Sequence, residues 1–187
     1  MSDPYPSKGK VYVDPKLFKE SELPVIVLTD DLRGFIGWAI KAHTKGNYGH
    51  VFIMHTPGLC VSQDFGGFRE KKIEKYMVNS IMLKFWRIKN LNSVERAAIL
   101  LAVDMRIKLP RWKRMYDYLG LVGQFFHIRQ IQNPWKLYCS EQVKVDYLDP
   151  IERTHTVNFG RPSPSDLDRI FIEHPDIFEV AGYWWNG

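Results

Sequence analysis

The chain has 187 residues, 45% of them hydrophobic, so it can bury one good core and does not require two domains. Its formal net charge is +5, and its two cysteines, Cys60 and Cys139, form no Cys-x-x-Cys or cysteine–histidine spacing, which argues against a disulfide framework and a zinc site. The first residues lack the apolar stretch of a signal peptide, and no segment reaches the roughly 18 apolar residues of a membrane span. We therefore expect no export signal and no transmembrane segment.

Basic residues cluster between Lys108 and Arg114, in the run KLPRWKR. Pro110 and Trp112 interrupt the run, and no recognised nucleic-acid motif surrounds it, so we expect no specific nucleic-acid partner. The positive charge is also consistent with weak attraction to any polyanion, including an anionic cell wall or membrane surface.

The N-terminal part of the sequence predicts a lead-in followed by one domain. Residues 1–23 are rich in proline, lysine and aspartate, which is typical of an extended segment, and we place a single domain at residues 24–187. The apolar, β-branched run Val25–Thr29 predicts a buried strand. Asp30 or Asp31 can cap a following helix from about Leu32 to His43.

The middle of the chain predicts a hairpin, a strand and a helix. Residues 48–54 and 59–63 are strand-like and flank Thr56-Pro57-Gly58, whose Pro-Gly pair is typical of a tight turn. Residues 81–88 predict another strand. Asn92-Ser93-Val94-Glu95 resembles a capping box, so a helix should begin there and end before Pro110. The elements together predict a small α+β domain.

Cys139 stands between a strand-like and a helix-like segment. The residues before it, Trp135–Leu137, suit a strand, whereas Val143, Tyr147 and Leu148 recur at helical spacing. A thiol at a helix N-terminus meets unpaired N–H groups and the positive end of the helix dipole, which lower a cysteine pKa. We interpret Cys139 as a candidate nucleophile; the alternative is a small buried hydrophobic residue.

A cysteine nucleophile requires a base and usually a third group that orients the base. His50 opens a predicted strand after Gly49, at a sheet end where a side chain can face a cleft. If the turn at Pro57-Gly58 is symmetric, Gln63 shares a face with His50, while Ser62 and Asp64 point to the other face. A loop of odd length would reverse this assignment. Gln63 is the candidate orienting residue, and an ordinary surface glutamine is the alternative.

The order of these motifs resembles a known family. The set consists of Tyr48-Gly49-His50-Val51, then Gln63 with Gly66-Gly67-Phe68, then Tyr116-Asp117-Tyr118-Leu119-Gly120, then Cys139-Ser140-Glu141, and last Ser163-Pro164-Ser165-Asp166-Leu167. From Val25 to Leu167 the chain resembles the circularly permuted branch of the NlpC/P60 papain-like superfamily, the YiiX/YebB-like group related to lecithin retinol acyltransferase. In that group histidine precedes cysteine. The resemblance implies a permuted papain-like fold, in which a small antiparallel sheet or half-barrel packs against helices.

The resemblance also implies nucleophilic acyl transfer. Cys139 would attack a carbonyl, His50 would transfer protons and Gln63 would hold His50, with no metal or organic cofactor. The backbone N–H of Cys139 would bind the oxyanion, and Tyr48 and Ser140 are further candidates for oxyanion or substrate binding, with a packing role as the alternative for Tyr48. Related chains often carry Glu or His where this chain has Gln63, and a neutral amide supplies no charge to stabilise an imidazolium.

Three functions are compatible with this resemblance. The first is a cysteine amidase or endopeptidase that cleaves peptide stems of bacterial cell wall; without an export signal it would act in the cytoplasm or be delivered by a phage lysis system, a virion or another secretion route. The second is a hydrolase or transferase of acyl, ester or thioester bonds in lipids. The third is a non-catalytic structural or interaction module. The sequence does not choose between peptide and lipid substrates, and it specifies no source or oligomeric state.

Overall fold

A computed structural model describes residues 10–30, 46–64, 66–115 and 138–186 of the chain. Three sequence predictions lie outside the described residues: the helix from Leu32 to His43, the segment Tyr116–Gly120 and the strand at Trp135–Leu137. The coarse fold class is confirmed, because the described residues form an α+β arrangement of one antiparallel sheet and three α-helices.

The sheet supplies the framework for the candidate site. Its strands are β1 (Val25–Thr29), β2 (His50–Thr56), β3 (Leu59–Asp64), β4 (Gly67–Lys72), β5 (Met82–Ile88) and β6 (Phe178–Trp185). They pair in the order β4-β3-β2-β1-β5-β6, and every neighbouring pair is antiparallel. All five residues of β1 are buried, as expected for a β-branched central strand that is covered on both faces.

The helices are α1 (Ser93–Lys108), α2 (Cys139–Val143) and α3 (Pro164–Glu173), and α2 continues into a π-helical turn at Lys144–Leu148. Asn92 caps α1 as predicted: its side chain accepts from the Glu95 N–H, and the Glu95 carboxylate accepts from the Asn92 N–H. Ser163 caps α3 in the same way with Asp166. No helix in the described ranges has the length and apolar character needed to cross a bilayer.

Two hydrophobic clusters lie on opposite faces of the sheet. We call the first the helix-side cluster; its members include Ile26, Leu28, Val51, Ile53, Val61, Cys139, Val143 and Tyr147. We call the second the far-side cluster; its members include Val25, Val27, Phe52, Met54, Cys60, Tyr76, Leu83 and Phe85. Odd- and even-numbered residues of one strand separate into different clusters, as the period of two in a strand requires.

The β2–β3 hairpin exists as predicted, with Gly58 in the left-handed region at φ 75°, which suits a glycine in the turn. Its register differs from that of a symmetric turn. Met54 pairs with Cys60, and the register shifts between Met54 and Thr56. An irregularity of this kind exchanges the faces of one strand relative to its partner.

The exchange overturns one prediction about the candidate site. Gln63 was expected on the same face as His50, but the observed register places Ser62 on that face and turns Gln63 to the helix side. The turn itself keeps two residues between the paired Thr56 and Leu59, and the extra residue of β2 between Met54 and Thr56 exchanges the faces instead of a loop of odd length.

Both edge strands, β4 and β6, lie in segments where the sequence predicts no strand. β4 reads Gly-Phe-Arg-Glu-Lys-Lys, and charged residues on an edge obscure the alternation that identifies a strand. The lead-in also makes contacts earlier than predicted. Phe18 and Leu23 are buried in the far-side cluster, and Tyr12 forms a bridge with Tyr183 of β6.

A buried ion pair attaches α3 to the sheet. Lys84 of β5 lies 2.7 Å from the Asp168 carboxylate, and the Trp86 indole N–H donates to the same carboxylate at 2.7 Å. The Lys84 and Asp168 side chains are only 7% and 13% exposed. A charge buried to this degree depends on its partner, because solvent cannot replace it.

We expect Asp168→Asn to lower the free energy of unfolding by about 3 kcal/mol, because it leaves the Lys84 ammonium buried without a counter-charge. Urea denaturation followed by circular dichroism measures the change. Asp104→Asn is the matched control, since Asp104 pairs with Lys108 at the surface, where such pairs contribute about 0.5 kcal/mol. Equal effects of the two substitutions would contradict a special role for the buried pair.

Candidate active site

Cys139 is the first residue of α2, as the sequence predicts. Tyr138 precedes it in an extended conformation, and no side chain caps the helix start. Backbone groups of Val51, Ser140 and Cys139 itself act to lower the pKa of the thiol and so favour its thiolate form. Donors from α2 and from strand β2 thus converge on one thiol.

Burial outweighs these donors. The Cys139 side chain is almost fully buried, and desolvation of the thiolate raises its pKa from 9.0 to about 11, with a smaller contribution from the Glu141 carboxylate. The helix start lowers the pKa of Cys139 as expected, but burial raises it by more, so the net shift is upward. The thiol is protonated at neutral pH.

The imidazole of His50 lies on the far side of the sheet. Its Nε2 is 2.8 Å from the Ser62 hydroxyl oxygen. Its ring centroid lies 5.9 Å from that of Phe52 and 6.1 Å from that of Tyr76, both members of the far-side cluster. The hydrogen bond to Ser62 and the aromatic contacts thus hold the ring on this side of the sheet.

The structure brings the backbone next to His50, and not the imidazole, to Cys139. Val51 follows His50 in β2, belongs to the helix-side cluster and offers its N–H to the thiol. Because successive side chains of a strand leave opposite faces, His50 points away from the face on which Cys139 packs. The two candidate residues therefore meet through the Val51 peptide.

Gln63 and Ser62 exchange the positions expected for them. Gln63 is buried, and its side-chain amide donates to the Arg114 carbonyl at 3.2 Å. Ser62 is the residue that contacts His50. A one-residue change in register selects Ser62 over Gln63, and no residue pattern in the sequence identifies this change.

Tyr48 and Ser140 have structural contacts. Tyr48 is buried in the helix-side cluster, and its backbone N–H is bonded to the Ser165 hydroxyl at 3.0 Å. Burial, followed by the Asp168 carboxylate, raises the pKa of the Tyr48 phenol far above its usual value. The Ser140 hydroxyl donates to the Pro162 carbonyl, so the residue offers only its backbone N–H to the sulfur.

Two further side chains flank the thiol. Glu141 is 8% exposed, and its carboxylate helps to raise the pKa of the neighbouring Tyr138 phenol, although burial is the larger cause. The Arg161 guanidinium lowers the pKa of the Tyr138 phenol, but by less than burial raises it. Acidic, phenolic and basic groups thus lie together at the start of α2.

Within the described ranges, no three His, Cys, Asp or Glu side chains are grouped so that they could hold a metal ion. The Nε2 of His55 in β2 lies 3.3 Å from the Glu70 carboxylate. Burial lowers the pKa of His55 despite this partner.

No model of a known protein family matches the chain, and a search of curated proteins finds no significant match. The resemblance of the motifs to permuted papain-like hydrolases therefore stays a prediction, as do the catalytic roles of Cys139, His50 and Gln63.

The pKa values predict how the two thiols react. We expect alkylation of Cys139 at pH 7.5 to be roughly 100-fold slower in the folded protein than in the urea-unfolded chain, because a pKa of about 11 instead of 9.0 reduces the thiolate fraction by that factor. The folded-state rate should rise tenfold per pH unit up to about pH 10, where the unfolded-state rate no longer rises. Mass-spectrometric mapping after timed iodoacetamide treatment measures both rates.

Cys60 is the internal control, because burial raises its pKa to about 12 and it should react still more slowly. If the alkylation rate of Cys139 does not change with pH near neutrality, the thiol is already a stabilised thiolate, and the pKa of about 11 that burial produces is contradicted.

Proposed function

We propose that the chain is a cysteine-nucleophile hydrolase of amide bonds on a circularly permuted papain-like fold, with short cell-wall-type peptides as substrates. One observation carries the proposal: the Cys139 thiol stands at the start of a helix, among N–H donors of α2 and β2, beside the residue that follows His50. Donors that favour a thiolate also suit the negative oxygen of a tetrahedral intermediate.

The reaction begins from a protonated thiol. Because the pKa of Cys139 is about 11, transfer of the Sγ proton to the His50 imidazole must accompany attack of sulfur on the substrate carbonyl carbon. The imidazolium then gives this proton to the leaving amine as the C–N bond breaks, which leaves a thioester on Cys139. Water attacks the thioester after losing a proton to His50, and the thiolate leaves and is reprotonated.

The mechanism requires the His50 side chain to turn from Ser62 towards the α2 side. His50 is the first residue of β2 and is half-buried, and the paired register of β2 with β3 runs from Ile53 onwards. His50 is also paired with Thr29 of β1, so this turn breaks no β2–β3 pair but must open the last β1–β2 pair. Ser62 holds the ring in its described position.

A peptide substrate is supported by charge. Cell-wall peptide stems carry free carboxylates, which a chain of net charge +5 attracts. The same thiol chemistry would act on esters and thioesters of lipids, so turnover decides between the two substrate classes.

The second candidate function is a non-catalytic interaction module on the same fold. The buried, protonated thiol and the contact of His50 with Ser62 and Phe52 across the sheet favour it. In such a module Cys139 acts as a packing residue of the helix-side cluster.

We expect the chain to cleave an amide bond in a short cell-wall-type peptide, and Cys139→Ala to abolish the cleavage. His50→Ala should lower kcat/KM by about 100-fold or more, because general acid–base catalysis contributes at least that factor. Product formation measured by liquid chromatography, together with trapping of the acyl-enzyme at Cys139, tests both expectations.

Cys60→Ala is the matched control, since it removes a buried thiol from the other face and should leave kcat/KM unchanged. Cleavage of ester or thioester substrates alone would replace the peptide with an acyl lipid as substrate. If Cys139→Ala only lowers stability and no acyl compound is turned over by the wild type, the interaction module replaces the hydrolase.

A further inference from the structure

Helix α1 has apolar side chains on two opposite faces. Ile99 and Val103 are buried in the helix-side cluster. On the other face Val94, Leu101 and Met105 are 77%, 58% and 56% exposed. Spacings of seven and four residues place these three side chains in one narrow stripe along the helix. The stripe is not needed to attach α1 to the sheet.

Two more exposed apolar side chains follow the end of the helix. Trp112 and Met115, in the turn that follows Pro110, are 59% and 42% exposed. Trp112 follows Met105 by seven residues along the chain, and five exposed apolar side chains in one segment differ from the single exposed apolar residues that most protein surfaces carry.

Basic side chains accompany the apolar ones. Lys108 is 72% exposed at the end of α1, Arg111 is exposed in the following turn, and the Lys113 ammonium lies 5.1 Å from the centre of the Trp112 ring. The two acidic residues of α1 already have basic partners: Glu95 pairs with Arg153, and Asp104 pairs with Lys108. The Lys108–Asp104 pair is neutral as a whole, so the positive charge beside the apolar stripe comes from Arg111 and Lys113.

We propose that this basic-apolar surface docks on an anionic lipid bilayer. It consists of Val94, Leu101, Met105, Trp112 and Met115 together with Lys108, Arg111 and Lys113. Aliphatic side chains enter the boundary between headgroups and acyl chains, tryptophan occupies the interface, and the ammonium and guanidinium groups contact lipid phosphates.

Charge favours an anionic bilayer over a second copy of the chain as the partner of this surface. A parallel symmetric pairing through α1 would bring Arg111 and Lys113 of one copy close to the same residues of the other, and like charges oppose such contact. An antiparallel pairing would bring them to the start of the other α1, where the Glu95 carboxylate already pairs with Arg153. A bilayer that contains anionic lipid supplies the opposite charge along the whole surface. The inference does not depend on the proposed hydrolase activity.

Co-sedimentation of the full chain with vesicles tests the proposal. We expect binding to vesicles of phosphatidylcholine and phosphatidylglycerol in equal parts at low salt, and weak binding to phosphatidylcholine alone or at high salt. The combined variant Leu101→Asp with Arg111→Glu should reduce binding to the anionic vesicles by roughly tenfold or more.

The matched control is Leu17→Asp with Lys16→Glu, which changes one exposed leucine and one exposed lysine in an N-terminal turn and should bind like the wild type. Circular dichroism checks that both variants fold. If the first does not, Leu101→Gln with Arg111→Gln replaces it, with a smaller reduction expected.

Three outcomes would overturn the proposal: wild-type chain that stays in the supernatant with anionic vesicles, equal binding to neutral vesicles, or unchanged binding of the folded α1 variant. Sedimentation velocity without lipid adds a fourth. Self-association that the α1 variant abolishes would assign the surface to a second copy.

Discussion

Strand β2 is paired with β1 along Val25–Thr29 and carries side chains into a hydrophobic cluster on each face of the sheet. Burying one large apolar side chain contributes about 2 kcal/mol, so the four buried residues from Val51 to Met54 outweigh the hydrogen bond of His50 to Ser62, worth about 1 kcal/mol. The core therefore sets the register of β2. The direction of His50 follows from that register, as does the approach of the Val51 N–H to Cys139.

The protonation state of Cys139 also follows from a comparison of two energies, the cost of desolvating the thiolate and the stabilisation by the helix start. A rise in pKa from 9.0 to about 11 corresponds to about 3 kcal/mol against the thiolate, after the stabilisation by three N–H donors has been included. A helix start contributes about 1 kcal/mol to a nearby anion, and α2 is only five residues long before its π-helical turn. Desolvation is thus the larger effect. Attack by this sulfur requires a base at the moment of reaction.

Features governed by neighbouring residues could be predicted from the sequence, and features governed by distant pairing could not. The β-branched run of β1, the Pro57-Gly58 turn and the Asn92 cap depend on local chemistry, and all three are present. Whether Ser62 or Gln63 faces His50 depends on a register shift near Thr56, and no residue pattern specifies that shift. The pKa of Cys139 depends on how completely other elements cover it. Edge strand β4 is mostly charged and so lacks the apolar run by which central strand β1 is recognised.

The basic-apolar surface and the candidate site share a support in the sheet. The Gln63 amide donates to the Arg114 carbonyl, and Gly67, at φ 85°, lies so close to that carbonyl that a side chain at this position would collide with it. The basic turn at Arg111–Arg114 is therefore fixed to the end of β3 and the start of β4. Because β2 and β3 are antiparallel, this end of β3 lies beside the start of β2, where His50 is bonded to Ser62. The same end of β3 thus supports both the basic turn and the His50–Ser62 contact.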